Sequence, residues 1–232
     1  ASTDLAALET AYYEVDMKGT DLSLRFNRLM SLPPGKSDNA KRVNRILDNI
    51  SIMGSDNITV LDIGAGTGVF LCRLLEDAGK LISSAVGIEP DPVASSHLRK
   101  LDRFCVIDDP YPTTVELGLF DLITLNKVLE HISHPIDFLR EVSKQLTENG
   151  MLYVEVPDVL SASYRSWPDN ILGSLHRHLY SLEGLGIALR SASLLPIKIE
   201  RITEPSGKIT VYAFAIASKS SLAWTSFNEE DL

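Results

Sequence analysis

The fold is decided by residues 60–71, which read VLDIGAGTGVFL. A mostly apolar run enters a turn that contains Gly64, Gly66 and Gly68, and an amphipathic segment follows at once. A buried strand that passes through such a turn into a helix brings backbone N–H groups and the helix N-terminus close to a ligand. The stretch therefore predicts the first strand and helix of an α/β sheet, with a ligand-binding turn between them.

The spacing of the glycines favours one kind of ligand. A dinucleotide site has glycines as G-x-G-x-x-G, but here the third glycine arrives one residue early and Val69 stands where the motif needs glycine. Asp62 lies two residues before Gly64, where its carboxylate would repel a pyrophosphate and can accept hydrogen bonds from an amino group. The pattern favours a ligand with a cationic group, and a tight turn without any ligand is the alternative.

Short apolar runs alternate with amphipathic segments after this turn, which is the pattern of βα units around a parallel sheet. Strands are predicted at residues 58–63, 84–88, 104–107, 120–125 and 151–156. Helices are predicted at residues 69–78, 93–101 and 135–146, with residues 148–150 as the turn into the next strand. These five strands and their connections predict a doubly wound sheet.

The two ends of the chain have different patterns. After a helix predicted at residues 181–192, apolar strands at 197–202 and 209–216 flank a short link of turn residues. That link is too short for a crossover helix, so the two strands should pair as an antiparallel hairpin. Near the other end, Ser37 or Asp38 can cap a helix that packs on the sheet.

The predicted fold class is therefore α/β, a Rossmann-like doubly wound sheet of seven strands. Five strands are parallel, and the C-terminal hairpin is antiparallel. We expect one domain over residues 1–232, in which an N-terminal helical extension (1–50) precedes the core (51–218) and a tail (219–232) follows it.

Composition narrows the classes of function. Hydrophobic residues make up 44% of the 232 residues, which fits a globular core, and a net charge of −9 gives no overall attraction to nucleic acid or to an anionic membrane. No apolar run approaches the roughly 20 residues of a membrane helix, and the N-terminus does not resemble a signal peptide. We expect a cytoplasmic protein without a membrane partner, in which Cys72 and Cys105 form neither a disulfide framework nor a metal site.

A carboxylate follows the second predicted strand. Glu89 ends that strand about 20 residues beyond the turn, the distance at which a ribose-binding acid is expected, and its two oxygens can accept both ribose hydroxyls. A solvated acid at the end of a strand is the alternative. Asp91 is expected to cap the helix that follows.

Four motifs in order carry a resemblance to a known family. They are VLDIGAGTG (60–68), GIEPD (87–91), FDLITLNKVLEHI (120–132) and NGMLYVEVPD (149–158). The series resembles the class I S-adenosylmethionine-dependent methyltransferases, specifically their broad small-molecule group, and covers residues 43–217. The resemblance implies S-adenosylmethionine as the cofactor.

The resemblance also implies a role for each matching residue. In that family the glycine loop wraps the methionine part of the cofactor, the acid after the second strand holds the ribose, and an acid after the third strand contacts the adenine amino group. Asn126 would line the methionine end. The implied cofactor-binding residues are Asp62, Gly64, Ala65, Gly66, Gly68, Glu89, Pro90 and Asn126, with Asp108 or Asp109 as the adenine contact.

The segment after the fourth strand suggests a general base. His131 lies at the carboxyl end of the sheet, where open α/β sheets bind ligands, and a structural role at a helix end is its alternative. The ubiquinone-biosynthesis O-methyltransferases resemble this stretch but carry E-x-x-E-H for a divalent metal. Lys127 replaces the first of those acids, so we predict metal-independent chemistry and no metal ligands.

The long link after the fifth strand supplies the second candidate base, His176, for which packing is the alternative. Residues 178–181 read HLYS and resemble a stretch of methyltransferases that act on sugars and polysaccharides. The prediction is methyl transfer to a small-molecule acceptor, with a sugar or polysaccharide precursor as the implied type. A nucleic-acid acceptor is not expected, because it would need a basic surface.

Two other functions stay open at this point. A non-catalytic protein of this fold would bind S-adenosylmethionine or S-adenosylhomocysteine as a sensor or partner. A nicotinamide-dependent oxidoreductase is opposed by Asp62 and by the glycine spacing. The sequence leaves the oligomeric state open, and it does not choose among O-, N- and C-methylation.

Overall fold

The computed structural model describes residues 21–50, 56–164 and 176–218. The predicted tail and residues 1–20 of the predicted extension lie outside these described residues.

In the part of the chain that the structure describes, seven strands form one sheet. In chain order they are β1 (Ile58–Ile63), β2 (Ile82–Ile88), β3 (Cys105–Ile107), β4 (Phe120–Asn126), β5 (Leu146–Pro157), β6 (Leu194–Thr203) and β7 (Ile209–Ala217). Their spatial order is β3-β2-β1-β4-β5-β7-β6. Strands β1 to β5 pair in parallel, whereas β7 pairs antiparallel with both β5 and β6. The predicted doubly wound sheet with a C-terminal antiparallel hairpin is confirmed.

Helices cover both faces of the sheet. They are α1 (Leu22–Met30), α2 (Asp38–Ile50), α3 (Val69–Ala78), α4 (Pro92–Leu101), α5 (Pro135–Lys144), α6 (Ser161–Tyr164) and α7 (Leu182–Ser191). Alternate residues of β1 point into different layers, so Val60 packs with α2 and α3 while Leu61 packs with α5 and α7. Within the described residues, no helix combines the length and the apolar character needed to cross a membrane.

The cap of α2 resolves a choice that the sequence left open. The Ser37 hydroxyl accepts a hydrogen bond from the Ala40 N–H at 3.2 Å, so Ser37 is the cap. The Asp38 carboxylate instead accepts from the N–H and the hydroxyl of Ser206, at 3.0 and 2.7 Å. Asp38 therefore ties α2 to the turn between β6 and β7.

The connection into β5 differs from the prediction. Helix α5 ends at Lys144, and β5 begins at Leu146, so the helix predicted through residue 146 is too long. The register of β5 on β4 then shifts, and residues 147–150 loop out within the strand instead of forming a turn before it. Gly150 permits this because a Cβ there would lie 2.9 Å from the Phe120 carbonyl oxygen.

Candidate active site

The glycine turn joins β1 to α3 at the carboxyl edge of the sheet. Gly64, Gly66 and Gly68 all have left-handed backbones, with φ values of 81°, 55° and 77°. A Cβ on Gly64 would lie 2.5 Å from a methyl group of Val128, whereas a Cβ on Gly66 would meet only the Gly64 carbonyl oxygen, at 4.0 Å. The turn is therefore packed against the protein at Gly64 and open at Gly66.

Glu89 lies directly against this turn. Its carboxylate is 2% exposed and accepts hydrogen bonds from the Gly66 N–H at 2.7 Å and the Asp91 N–H at 3.0 Å. Burial raises the pKa of Glu89, and these two N–H groups oppose the rise. Each oxygen carries one of these two bonds and keeps capacity for another, and Pro90 beside it is half-buried. Ala65 is buried beneath the turn.

Asp62 and Asn126 meet between the ends of β1 and β4. One Asp62 oxygen accepts from the Thr124 hydroxyl at 2.6 Å and from the Asn126 side-chain N–H at 3.0 Å. The side-chain oxygen of Asn126 is buried and has no hydrogen-bond partner among the described residues. Because a buried polar atom without a partner is costly, this oxygen is a point at which a ligand donor can bind.

The environment of Asp62 predicts a pH-dependent stability. Burial raises its pKa from 3.8 to about 7, and the hydrogen bonds from Thr124 and Asn126 only partly oppose this. The folded state then holds a proton that the unfolded state releases, so the stabilisation is complete below pH 3.8 and is lost as pH rises through about 7.

We therefore expect the midpoint of thermal unfolding to fall between pH 5 and pH 8 more steeply in the natural protein than in Asp62→Asn. The corresponding change in the free energy of unfolding should be a few kcal/mol at most, since one pKa unit corresponds to about 1.4 kcal/mol. Asp48→Asn, on the exposed side of α2, should reproduce the natural profile. Equal slopes for the natural protein and Asp62→Asn would contradict the prediction.

The two candidate adenine contacts follow β3 and have different partners. Asp108 is exposed and pairs with Arg99 of α4 at 2.8 Å. Asp109 accepts from the hydroxyls of Thr113 and Thr114 and from the Thr114 N–H, so its carboxylate holds the loop before β4. Both carboxylates are bonded to other residues, and the choice between them as the adenine contact stays a prediction.

The two candidate bases are brought together by the fold. The rings of His131 and His176 are edge to face with centroids 4.9 Å apart, although 45 positions separate them in the chain. The N–H groups of Arg177 and His178 donate to the Glu130 carbonyl oxygen at 2.8 and 3.1 Å. These bonds hold the segment after residue 176 against the turn that follows β4.

Glu130 lies behind these imidazoles and was not singled out from the sequence. It is 1% exposed, and neither carboxylate oxygen has a hydrogen-bond partner among the described residues. Burial raises its pKa to about 7, and the nearby charge of Lys127 opposes the rise. One ligand atom each from Glu130, His131 and His176 lie within 4.8 Å of one another, a spacing that a metal ion can bridge.

Lys127 does not stand where the sequence comparison with E-x-x-E-H suggested. Its backbone is left-handed, with φ of 61°, and its ammonium donates to the Thr210 hydroxyl at 2.7 Å and pairs with Glu155 at 3.2 Å. The cation is thus bonded to β5 and β7, although its charge reaches Glu130. Metal-independent chemistry stays a prediction, and the position of Lys127 is weaker support for it than the sequence suggested.

Glu155 is the centre of a buried charge network that the motifs did not reveal. Its carboxylate is fully buried and accepts from Arg42 at 2.5 and 2.9 Å, from Arg45 at 2.8 Å and from the Tyr153 hydroxyl at 2.7 Å. These cations hold the pKa of Glu155 well below its ordinary value despite burial. An acid inside the apolar strand β5 was the one sequence feature that pointed to such a network.

Comparisons with known proteins agree with this geometry. A family model described as a methyltransferase domain matches residues 35–194. The chain is 35% identical over 106 residues to a tRNA U34 carboxymethyltransferase of Shewanella loihica, which covers 43% of this chain and 31% of that protein. It is 28% identical over 134 residues to a ubiquinone biosynthesis O-methyltransferase of Bartonella quintana, covering 55% of this chain and 51% of that protein.

A solved structure shares the fold. The 1,6-didemethyltoxoflavin-N1-methyltransferase of Burkholderia thailandensis, crystallised with bound 1,6-didemethyltoxoflavin and S-adenosylhomocysteine, superposes with a TM-score of 0.60 and 19% identity. The match covers 91% of this chain and 85% of that one. The identity is low, so this likeness supports the fold alone. The chain spans about a third of the tRNA-modifying relative and about half of the ubiquinone relative.

Proposed function

The chain belongs to the methyltransferase domain family, and on that premise we propose that it transfers a methyl group from S-adenosylmethionine to a small-molecule acceptor. The proposal rests on the grouping of three features at one end of the sheet. The turn at Gly66 is open, the buried Glu89 carboxylate lies against it, and the unpartnered oxygen of Asn126 lies at the neighbouring strand end. The groups that we assign to the cofactor thus lie at the carboxyl ends of the neighbouring strands β1 and β4, where open α/β sheets bind ligands.

The residues present fit the cofactor. Glu89 has acceptor capacity left for two ribose hydroxyls, and the free oxygen of Asn126 suits the amino group of the methionine part. Gly66 leaves room for a ligand close to the backbone. When bound, S-adenosylmethionine supplies an electrophilic methyl group on a sulfonium centre.

The protein's own contribution is to position the acceptor and to remove its proton. Alignment of two reactants in a closed site can lower a barrier by about 7–11 kcal/mol, and a placed base adds about 10²–10⁴-fold. We assign the base to His131 or His176, which are half-buried at the carboxyl end of the sheet. No triad of the protease type is needed, because the cofactor carries the reactive group.

A small acceptor is favoured over a nucleic acid because several basic residues are paired within the protein and are not available to bind phosphates. Several described cations are bonded to other groups of the protein, and the net charge is −9. Glu155 binds Arg42, Arg45 and Lys127, the Asp158 carboxylate binds Arg201, and Arg73 donates to carbonyls at the end of α1. A sugar or polysaccharide precursor, a cytoplasmic location and one domain for the whole chain remain predictions from the sequence.

A tRNA acceptor is the second candidate, because a relative named for tRNA modification matches 43% of this chain. Transfer of labelled methyl from S-adenosylmethionine to total tRNA, compared with a panel of sugars, phenols and amines, separates the two. We expect label in the small-molecule arm. Label in the tRNA arm alone, weakened steeply by added salt, would replace our choice.

Cofactor binding is the direct test of the proposed function. In isothermal titration we expect S-adenosylmethionine and S-adenosylhomocysteine to bind and NADH not to bind. Glu89→Ala should weaken cofactor binding by about 10–100-fold, because bonds to a charged group contribute about 1.5–3 kcal/mol. The exposed Glu183→Ala serves as the matched control and should bind as the natural protein does.

The binding test needs one control measurement, and two of its outcomes would change the proposal. The unfolding temperature of Glu89→Ala must be measured, because Glu89 also accepts from Gly66 and Asp91. Binding of NADH alone would overturn the cofactor assignment. Cofactor binding without product from any acceptor would favour the non-catalytic sensor instead.

A further inference from the structure

We propose that Glu130 is a positioning residue for proton transfer, and that the methyl acceptor therefore carries an O–H or N–H proton that the His131–His176 pair removes. The inference rests on the proposed function and deepens it. It assigns a role to a buried acid that the cofactor site does not use.

The geometry places a buried carboxylate behind two partly exposed imidazoles. Glu130 is 1% exposed, whereas His131 and His176 are half-buried, and the three groups offer atoms within 4.8 Å of one another. This is the order of groups that a base and its orienting acid require, with the imidazole towards the acceptor and the acid behind it. The segment that carries His176 is held to the Glu130 carbonyl by two backbone bonds, which fixes the arrangement.

The missing hydrogen bonds of Glu130 point to the step at which it acts. Both of its oxygens lack a partner among the described residues, which is unfavourable for a buried charge. An imidazole that acts as the base presents its unprotonated nitrogen to the acceptor, so its other nitrogen carries the N–H that can face Glu130. When it takes the proton the imidazole becomes a cation, and its attraction to the buried Glu130 carboxylate is therefore stronger in the transition state than in the resting enzyme.

No other described group meets this need as well. The Lys127 ammonium is bonded to Glu155 and Thr210. The Tyr180 hydroxyl also lacks a partner, and the Glu130 charge contributes to the raised pKa of Tyr180, so it is near but uncharged at neutral pH. Among the described residues, the charged and titratable groups that face Glu130 are Lys127, Glu155, Tyr180, His131 and His176. The His178 ring lies next to Tyr180, and its Nε2 has no hydrogen-bond partner among the described residues.

The step balances without another reactant. The acceptor's O–H or N–H bond breaks as the proton passes to an imidazole nitrogen, and the acceptor's electron pair forms the bond to the methyl carbon. The carbon–sulfur bond breaks with its electron pair left on sulfur, which gives the neutral thioether. The imidazolium formed is paired with the Glu130 carboxylate until it releases its proton to water.

The first test needs neither cofactor nor acceptor. Nuclear magnetic resonance of the ring nitrogens gives the pKa values of His131 and His176 in the natural protein, in Glu130→Gln and in the exposed control Glu183→Gln. We expect Glu130→Gln to lower the pKa of at least one of the two imidazoles by about one unit, because an adjacent carboxylate favours the imidazolium. His131→Ala and His176→Ala assign the two titrations. Glu183→Gln should leave both values unchanged.

The outcomes separate this inference from the proposed function. Unchanged imidazole pKa values in a folded Glu130→Gln would overturn it, whether or not cofactor binds. Stoichiometric binding of Zn²⁺ or Mg²⁺ that Glu130→Gln abolishes would also overturn it, because the three groups would then hold a metal. With an acceptor in hand, Glu130→Gln should lower kcat by about 10–100-fold and move the acid limb of its pH profile, with KM for S-adenosylmethionine unchanged.

Discussion

Replacing Glu155 with alanine is expected to lower the free energy of unfolding by about 3–5 kcal/mol, the cost of removing one partner from a buried ion pair. The carboxylate is fully buried, and its loss leaves Arg42, itself 7% exposed, with an unpaired charge inside the protein. Arg45 and Lys127 lose a partner as well. Urea unfolding measures the change, and Glu148→Ala on the exposed part of the same strand should shift stability by less than about 0.5 kcal/mol.

The Arg42–Glu155 ion pair leads to a second prediction, which can be tested independently of the first. Because buried ion pairs repay little more than their desolvation, the double variant Arg42→Met with Glu155→Met should recover much of the loss seen in Glu155→Ala. A double variant as unstable as the single one would show that the unpaired charge of Arg42 does not set the cost, and would leave packing or the remaining cations Arg45 and Lys127 as its source. The pKa of Glu155 is lowered, so its contribution is present above pH 4.5 and is lost as pH falls through the folded-state value.

The elements that the sequence predicted well are those set by local physics. The strand β1, the glycine turn and the capped helix after Asp91 follow from short-range patterns, and all are present. The antiparallel pairing of β6 and β7 follows from the short link between them. The end of α5 was wrong because the strand pairing of Leu146 competes with helix continuation, and local pattern does not report that competition.

The parts of the site that escaped the sequence depend on long-range contacts. Arg42 reaches Glu155 across 113 positions, and nothing near Arg42 indicates a buried partner. Glu130 and His176 meet only because the end of β4 lies beside the link after β5. The direction of the Lys127 ammonium follows from its left-handed backbone, which a motif comparison does not contain.

The glycine turn gives the other prediction with a large effect, on cofactor binding. Gly66→Ala should fold, at a cost of about 1–2 kcal/mol for a left-handed alanine, because its Cβ meets only one backbone oxygen at 4.0 Å. The same methyl group would enter the space that we assign to the cofactor. We expect affinity for S-adenosylhomocysteine to fall by at least 100-fold, measured by isothermal titration on protein shown to be folded by circular dichroism.

Alanine variants of two other glycines distinguish the effect of backbone strain from the effect of filling the space beside Gly66. Gly118→Ala carries the same strain, with φ of 80° and no atom within 4 Å of the new Cβ, so it should lose similar stability and keep full cofactor affinity. Gly64→Ala adds a clash with Val128 at 2.5 Å, and it should therefore be the least stable of the three. If Gly66→Ala bound the cofactor as well as Gly118→Ala does, the open side of the turn would not be the cofactor site, and the assignment of Glu89 to the ribose would fail with it.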